Sequence, residues 1–270
     1  MSVINTNVSA LSAQNALRTN ARSMSTNMEQ LSTGSRINSA KDDAAGLAIG
    51  QSMTSQVRGL NMAVRNINDG VNMMQTAEGA MIEQSNMLQR MRELAVQSAN
   101  GTVSTAQRSY LNTEFQALTS QIGNIASQTT WNGTNLMSAT ATFSFQAGAS
   151  SGQTISVVVT EMSTSSLGIS TASISSASVA SSAIATLDTA LNSINSQRAT
   201  IGAGINQMTY AADNMSNIAA NVTASRSTIM DTDYATASTN LAKNQIIQQA
   251  ATAMLAQANQ QPQSVLSLLK

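Results

Sequence analysis

The chain has 270 residues, a formal net charge of zero, a single proline, and neither cysteine nor histidine. Without cysteine and histidine there can be no zinc site of the Cys/His type and no Ser-His-Asp or Cys-His catalytic arrangement. The balanced charge offers no basic face for nucleic acid, no run of about 18 apolar residues is available to span a bilayer, and MSVINTNVSALSAQ lacks the basic-then-apolar order of a cleaved leader.

Aromatic residues make up only 3% of the chain, and Ala, Leu, Ile, Val and 16 methionines take their place. Such side chains suit narrow seams between helices better than a wide globular core. The first predicted element carries Ile4, Val8 and Leu11, then, one residue out of phase, Leu17, Ala21, Met24, Met28 and Leu31. That four-three spacing marks one helix face. The rest of the segment is rich in Gln, Asn, Ser and Ala, and an isolated helix of this kind is marginal in water. It is expected to order only against copies of itself.

LSTGSRINSAKDDAAGLAIG (31–50) follows, with glycines, a lysine and paired aspartates. A phosphate-gripping loop would need G-x-x-x-x-G-K-[ST] after a strand, and neither is present. Asp42 and Asp43 have no histidine to work with, so a joint explains the stretch better than a catalytic site. Gly34 permits a break between helices. Ser39 with Asp42 reads as a capping box, and both aspartates are expected in the first turn of the next helix.

From Met53 the period is seven: Met53, Leu60, Ile67, Met74, Met81, Leu88 and Ala95, with Val57, Val64 and Val71 as companions before Glu78 and Ser85 narrow the seam. This is a coiled-coil pattern. A helix from about Asp43 to Asn100 would be about 85 Å long. Gly46, Gly50, Gly59, Gly70 and Gly79 lie inside it at a cost of roughly 1 kcal/mol each, which predicts crowding by other subunits at these points. In QRMRELAVQSANG (89–101), Arg90, Glu93, Leu94 and Gln97 are expected on or near the outer faces, with Leu94 exposed beside arginines as a candidate binding surface.

Asn100-Gly101 predicts a turn, and Ser104 with Gln107 a capping box for a shorter helix that packs back, carrying Leu111, Phe115, Leu118, Ile122 and Ile125. WNGTN is a turn signal, and TFSFQAG (142–148) and QTISVVVT (153–160) read as a β-hairpin. Ser163 to Ser182 is rich in Ser, Thr and Ala and is expected to be exposed. A second seven-residue seam then runs through Leu187, Ile194, Ile201, Met208, Met215, Val222 and Ile229, interrupted at the companion position by Arg198 and Arg226. Two seams of equal length predict either an antiparallel pair within the chain or separate pairing with other chains. Beyond Gly204 only Pro262 breaks the helical pattern; Ile246, Ile247, Ala250, Met254 and Leu255 form an apolar face, and Val265, Leu266 and Leu269 lie in the closing VLSLL.

INTNVSAL (4–11), LSTGSRINSAKDDAAGLAI (31–49), NDGVNMMQTAEGAM (68–81), QRMRELAVQSANGT (89–102), SQRATIGAGINQM (196–208) and the run from RSTIMDTDY to SVLSLL (226–269) together resemble bacterial flagellin. The likeness covers roughly 1–160 and 183–270, and departs from the family pattern at IGAGINQM (201–208) and YATAST (234–239). The resemblance implies a mainly α fold. It is a long antiparallel helical hairpin or coiled coil with a small β-hairpin at its distal end, and the terminal helices pair as an inner coiled coil.

The implied organisation is an N-terminal helix and spoke over 1–43, then rod helices, turn, hairpin and Ser/Thr-rich link over 44–182. A C-terminal rod helix over 183–230 and a C-terminal inner helix over 231–270 complete it. This is a short form with little or no outer variable domain.

The function implied is a non-enzymatic, extracellular filament subunit for swimming, with no cofactor and no metal, whose termini order on assembly. Inner-core contacts would then be Ile4, Val8, Leu11, Leu17, Met24, Met28 and Leu31 with Ile247, Met254, Leu255, Val265, Leu266 and Leu269. Gly34, Ser39, Asp42 and Asp43 would form the spoke. The partners implied are copies of itself, the flagellar export apparatus and its chaperone, and the filament cap and junction proteins. Gln89, Arg90, Leu94, Gln97 and Glu114 would match the surface through which some members meet a host Toll-like receptor. A hook–filament junction protein, a secreted coiled-coil adhesin and a phosphate-binding enzyme are the competing readings.

Overall fold

A computed structural model describes the chain over residues 6–267, with side chains described over 6–260. Ile4 and Leu269 fall outside the described residues, and Val265 and Leu266 outside the described side chains. Five helices are present among them: α1 (Val8–Thr33), α2 (Ala44–Ala99), α3 (Thr105–Gln128), α4 (Ala177–Met230) and α5 (Tyr234–Ser267). Two small antiparallel hairpins follow α3, β1 (Thr130–Trp131) with β2 (Thr134–Asn135), and β3 (Ala141–Gln146) with β4 (Thr154–Val159). The chain divides into two compact units, Met1–Gln56 with Asn221–Lys270, and Val57–Ala220.

In the second unit the two heptad seams pair within the chain. Leu60, Ile67, Met74, Met81, Leu88 and Ala95 of α2 are buried, as are Leu187, Ile194, Ile201 and Met208 of α4. Arg92 of α2 meets Asp188 of α4 at 2.6 Å, and Glu78 meets Arg198 at 3.7 Å. Position falls along α4 as it rises along α2, so the helices are antiparallel. Each large apolar side chain taken from water contributes roughly 1.5–3 kcal/mol, and the repeat of seven keeps them on one seam.

The short helix begins as its sequence requires. The Ser104 side chain accepts from Gln107 N–H, and Gln107 returns the bond to the Ser104 backbone. Its Phe115 and Ile122 are wholly buried in a core to which α2 and α4 also contribute. In the first hairpin Asn132 (φ 46) and Gly133 (φ 79) take left-handed backbone, the geometry of a two-residue hairpin turn.

Four features of the packing follow. First, the larger hairpin lies against both long helices. α3 carries the chain back along α2, so a Cβ on Gly70 would stand 2.8 Å from Phe145 and one on Gly204 2.7 Å from Val157. Second, the crowding at helix glycines comes from the chain itself. Ile37 and Asp43 lie over Gly46, Met230 over Gly50, Ala149 over Gly59 and Phe145 over Gly70, while Gly79 has nothing within 4 Å.

Third, the Ser/Thr-rich link is not an exposed strap. Leu167, Ile169 and Ile174 are buried, and α4 has begun by Ala177. The link is tied down where Ile174 O accepts from Ser98 Oγ at 2.6 Å, Met162 O from Gln84 Nε2 at 3.2 Å and Ala172 O from Gln116 Nε2 at 2.8 Å. Fourth, Pro262 does not end a helix; α5 runs through it to Ser267.

Candidate assembly surface

The first unit is built on α1 and α5, which run antiparallel. Asn7 Nδ2 donates to Ala258 O at 2.7 Å, Asn20 Nδ2 to Asn244 O at 2.8 Å, and Tyr234 Oη to Leu31 O at 3.1 Å. Residues less exposed than their neighbours recur every three or four positions. They are Ala10, Ala13, Leu17, Asn20, Met24, Asn27 and Leu31 on α1, against Ala237, Leu241, Asn244, Gln248, Ala251, Leu255 and Ala258 on α5. This seam is thin. Small residues let the helices come close, but each alanine buries little area.

The apolar residues named from sequence therefore separate into two groups. Leu17, Met24, Leu31 and Leu255 enter the intrachain seam. Val8 (64% exposed), Leu11, Met28, Ile247 and Met254 (65% exposed) face away from it, as does Ile246. Val8, Ala16, Ala251 and Met254 line a shallow groove along the helix pair. Outward apolar side chains on both helices are a surface that further chains can cover.

The joint around Gly34 closes this unit. Gly34 takes φ 70 and its N–H donates to Gln30 O, ending α1 in the left-handed conformation that a Cβ would oppose. Ser35 then bridges Asp231, and Thr232 N–H donates to Gly34 O. Arg36 N–H takes Met230 O, while its guanidinium Nε and Nη2 take Ile229 O at 3.2 and 2.6 Å. The last two carbonyls of α4, which no helical N–H can reach, are thus both satisfied by Arg36, Met230 O by its backbone and Ile229 O by a cation suited to that end of the dipole.

The two aspartates precede α2 rather than occupying its first turn, because the helix begins at Ala44. Asp43 is the cap, accepting from Gly46 N–H at 2.8 Å. Asp42 closes the turn before it, with Oδ2 accepting from Ser39 Oγ and from the N–H groups of Ser39 and Asn38. The Ser39 hydroxyl, with those backbone bonds, holds the Asp42 carboxyl below the ordinary carboxylate range. Asp233 does at α5 what Asp43 does at α2. It accepts from the Thr236 hydroxyl at 2.7 Å and from the Ala235 and Thr236 N–H groups, and the hydroxyl foremost lowers its pKa.

In the second unit Gln89, Arg90, Gln97 and Glu114 are exposed. Arg90 bonds Glu114 at 2.9 Å and Glu93 at 3.0 Å, and these carboxylates, Glu114 first, raise its already high pKa. Leu94 must be removed from this surface. It is 1% exposed and belongs to the core with Phe115 and Leu118, because α3 covers a second face of α2 at this level.

Asn7, Asn20, Arg36 and Asp233 were not singled out from sequence. Asn7 and Asp233 carry a local signal, a cap residue three positions before a partner N–H. Asn20 and Arg36 carry none, since their partners are 224 and 193 residues away. Among the described residues no three of His, Cys, Asp and Glu converge as a metal cluster, and no helix is long and apolar enough to cross a membrane.

Residues 4–142 match the bacterial flagellin N-terminal helical region, and residues 184–269 the bacterial flagellin C-terminal helical region. The chain is 41% identical over 285 residues to the flagellar filament 33 kDa core protein of Treponema phagedenis, covering 99% of this chain and 100% of that protein. It is 42% identical over 271 residues to a flagellin of Halalkalibacterium halodurans, covering 99% and 100%. Among solved structures, Bacillus cereus flagellin aligns with a TM-score of 0.51 at 30% identity, over 56% of this chain and 88% of that one.

Proposed function

The chain belongs to the bacterial flagellin family, and from that premise we propose how it acts as the structural subunit of the flagellar filament. The observation that carries the mechanism is the α1–α5 pair, with a thin Ala- and Asn-rich seam inside and Val8, Leu11, Met28, Ile246, Ile247 and Met254 outside. Within one chain the seam buries too little to offset the ordering of two helices. Copies of the chain supply the rest by covering the outward residues. The terminal helices are held only weakly in the free subunit and become fixed in the polymer.

Gly34, Asp42 and Asp43 serve the same end by defining where α1 stops and α2 starts. The subunit leaves the cell through the flagellar export apparatus with its chaperone and adds beneath a cap beyond the junction proteins. Gln89, Arg90, Gln97 and Glu114 remain available to a host Toll-like receptor on the free subunit.

Removal of residues 240–270 tests the mechanism. The truncated chain should remain soluble and largely helical by circular dichroism, yet form no filaments under the electron microscope at concentrations where the full chain polymerises. Filaments of ordinary length from the truncated chain would overturn it.

A further inference from the structure

We propose that Asn7 and Pro262 together set the register in which α1 and α5 pair, and hence whether a subunit is competent to assemble; this rests on the assembly mechanism above. Proline has no backbone N–H. Within α5, which runs Tyr234–Ser267, the carbonyl of Ala258 is therefore the one whose partner four residues on cannot donate. That carbonyl accepts from Asn7 Nδ2 at 2.7 Å. The orphan acceptor made by the chain's single proline is met by an amide 251 positions earlier.

The seam around this bond has little shape of its own. Ala251, Leu255 and Ala258 on α5 repeat small and medium residues at each turn, so a slip of one turn would change its packing only slightly. The orphan carbonyl does not repeat. After such a slip Asn7 can still donate to a helix-bonded carbonyl, as Asn20 does at Asn244, but Ala258 O is left without a donor, a cost of roughly one lost hydrogen bond. Buried polar residues specify register in coiled coils by the same logic. Asn20, 8% exposed, adds a second amide bond to α5, at Asn244, in the same register. Thirteen residues from Asn7 to Asn20 correspond to fourteen from Ala258 back to Asn244.

The chain has no cysteine, so a disulfide can report the register directly. Ala13→Cys with Ala251→Cys, which line one groove, should close an intrachain disulfide in filaments. Asn7 also caps α1 by accepting from Ala10 N–H. Asn7→Asp keeps that acceptor, removes the donor and adds a charge that is the same in both backgrounds below. In the cysteine-pair background Asn7→Asp should lower the disulfide yield at least threefold, whereas in a Pro262→Ala background, where Ala258 O regains its helical donor, Asn7→Asp should lower it by less than half as much.

A variant excluded from filaments with Pro262 present and admitted with Pro262→Ala supports the proposal equally. An effect of Asn7→Asp that is the same in both backgrounds, or exclusion from filaments in both, would overturn it. Failure of the unsubstituted cysteine-pair chain to polymerise would instead count against the assembly mechanism.

Discussion

Glu78 of α2 and Arg198 of α4, two of the residues that interrupt the heptad seams, stand 3.7 Å from each other. Each is about one-third exposed, and Arg198 Nε is buried with no partner. A partly exposed pair of this kind contributes about 1 kcal/mol or less. Its place in two mainly apolar seams fixes which layers of the helices face each other.

Replacing one member should therefore cost more than replacing both. Glu78→Leu alone strands Arg198 and should destabilise the subunit by about 1 kcal/mol. Glu78→Leu with Arg198→Leu should recover that loss or exceed it, because apolar replacements of paired charges in a seam are commonly neutral or stabilising. Thermal unfolding of the soluble subunit by circular dichroism reads both. A double variant less stable than the sum of the singles would contradict the pairing.

Helix glycines should respond with opposite signs. Gly79 and Gly202 have nothing within 4 Å of a Cβ, so Gly→Ala at either should stabilise the subunit by up to about 1 kcal/mol through helix propensity. Gly70→Ala would drive a Cβ to 2.8 Å from the Phe145 ring, and the strain of overpacking, about 1–3 kcal/mol, should outweigh the gain. Urea unfolding midpoints of the three variants give the comparison; the same sign at all three positions would show that the hairpin does not lie on Gly70.

Leu94 discriminates core from surface. As a wholly buried side chain, Leu94→Ala should cost about 2–5 kcal/mol. Gln89→Ala, on the neighbouring exposed turn, should stay within about 0.5 kcal/mol. Equal stabilities in denaturant titration would return Leu94 to the outer face.

Acid should loosen filaments partly through Asp42 and Asp233. Their hydrogen bonds depress both folded-state pKa values below the ordinary value of about 3.9. Their contribution is therefore complete above that value and is lost as the pH falls through it to the folded values. Asp42→Asn with Asp233→Asn should lower the thermal depolymerisation midpoint at pH 6. The gap from the unsubstituted filament should narrow as the pH falls below about 4. Light scattering during heating measures it, and a gap that widens in acid would have the sign wrong.

Sequence shows best what a repeat or a local partner defines. The seams at Leu60–Ala95 and Leu187–Met208 were legible because a period of seven needs no knowledge of the partner. The cap at Ser104 and the turn at Asn132-Gly133 were legible because their hydrogen bonds close within a few residues.

Leu94 was misplaced because helical spacing gives an angle from one seam, and α3 supplies a second. The link deceived for a related reason. Leu167, Ile169 and Ile174 carry no helical or strand period among hydroxyl residues, yet all three enter the core. The split of the terminal stripes, with Leu17 inward and Val8 outward, depends on a register set by residues more than 220 positions apart.

Arg36 bonds the last two carbonyls of a helix that ends at residue 230, Ile229 O through its guanidinium and Met230 O through its backbone N–H. A residue near the start of the chain thus finishes a helix that lies close to its end. A subunit that loses Arg36 loses the donors of Ile229 and Met230 with it. One early defect is thereby felt again where α4 gives way to α5.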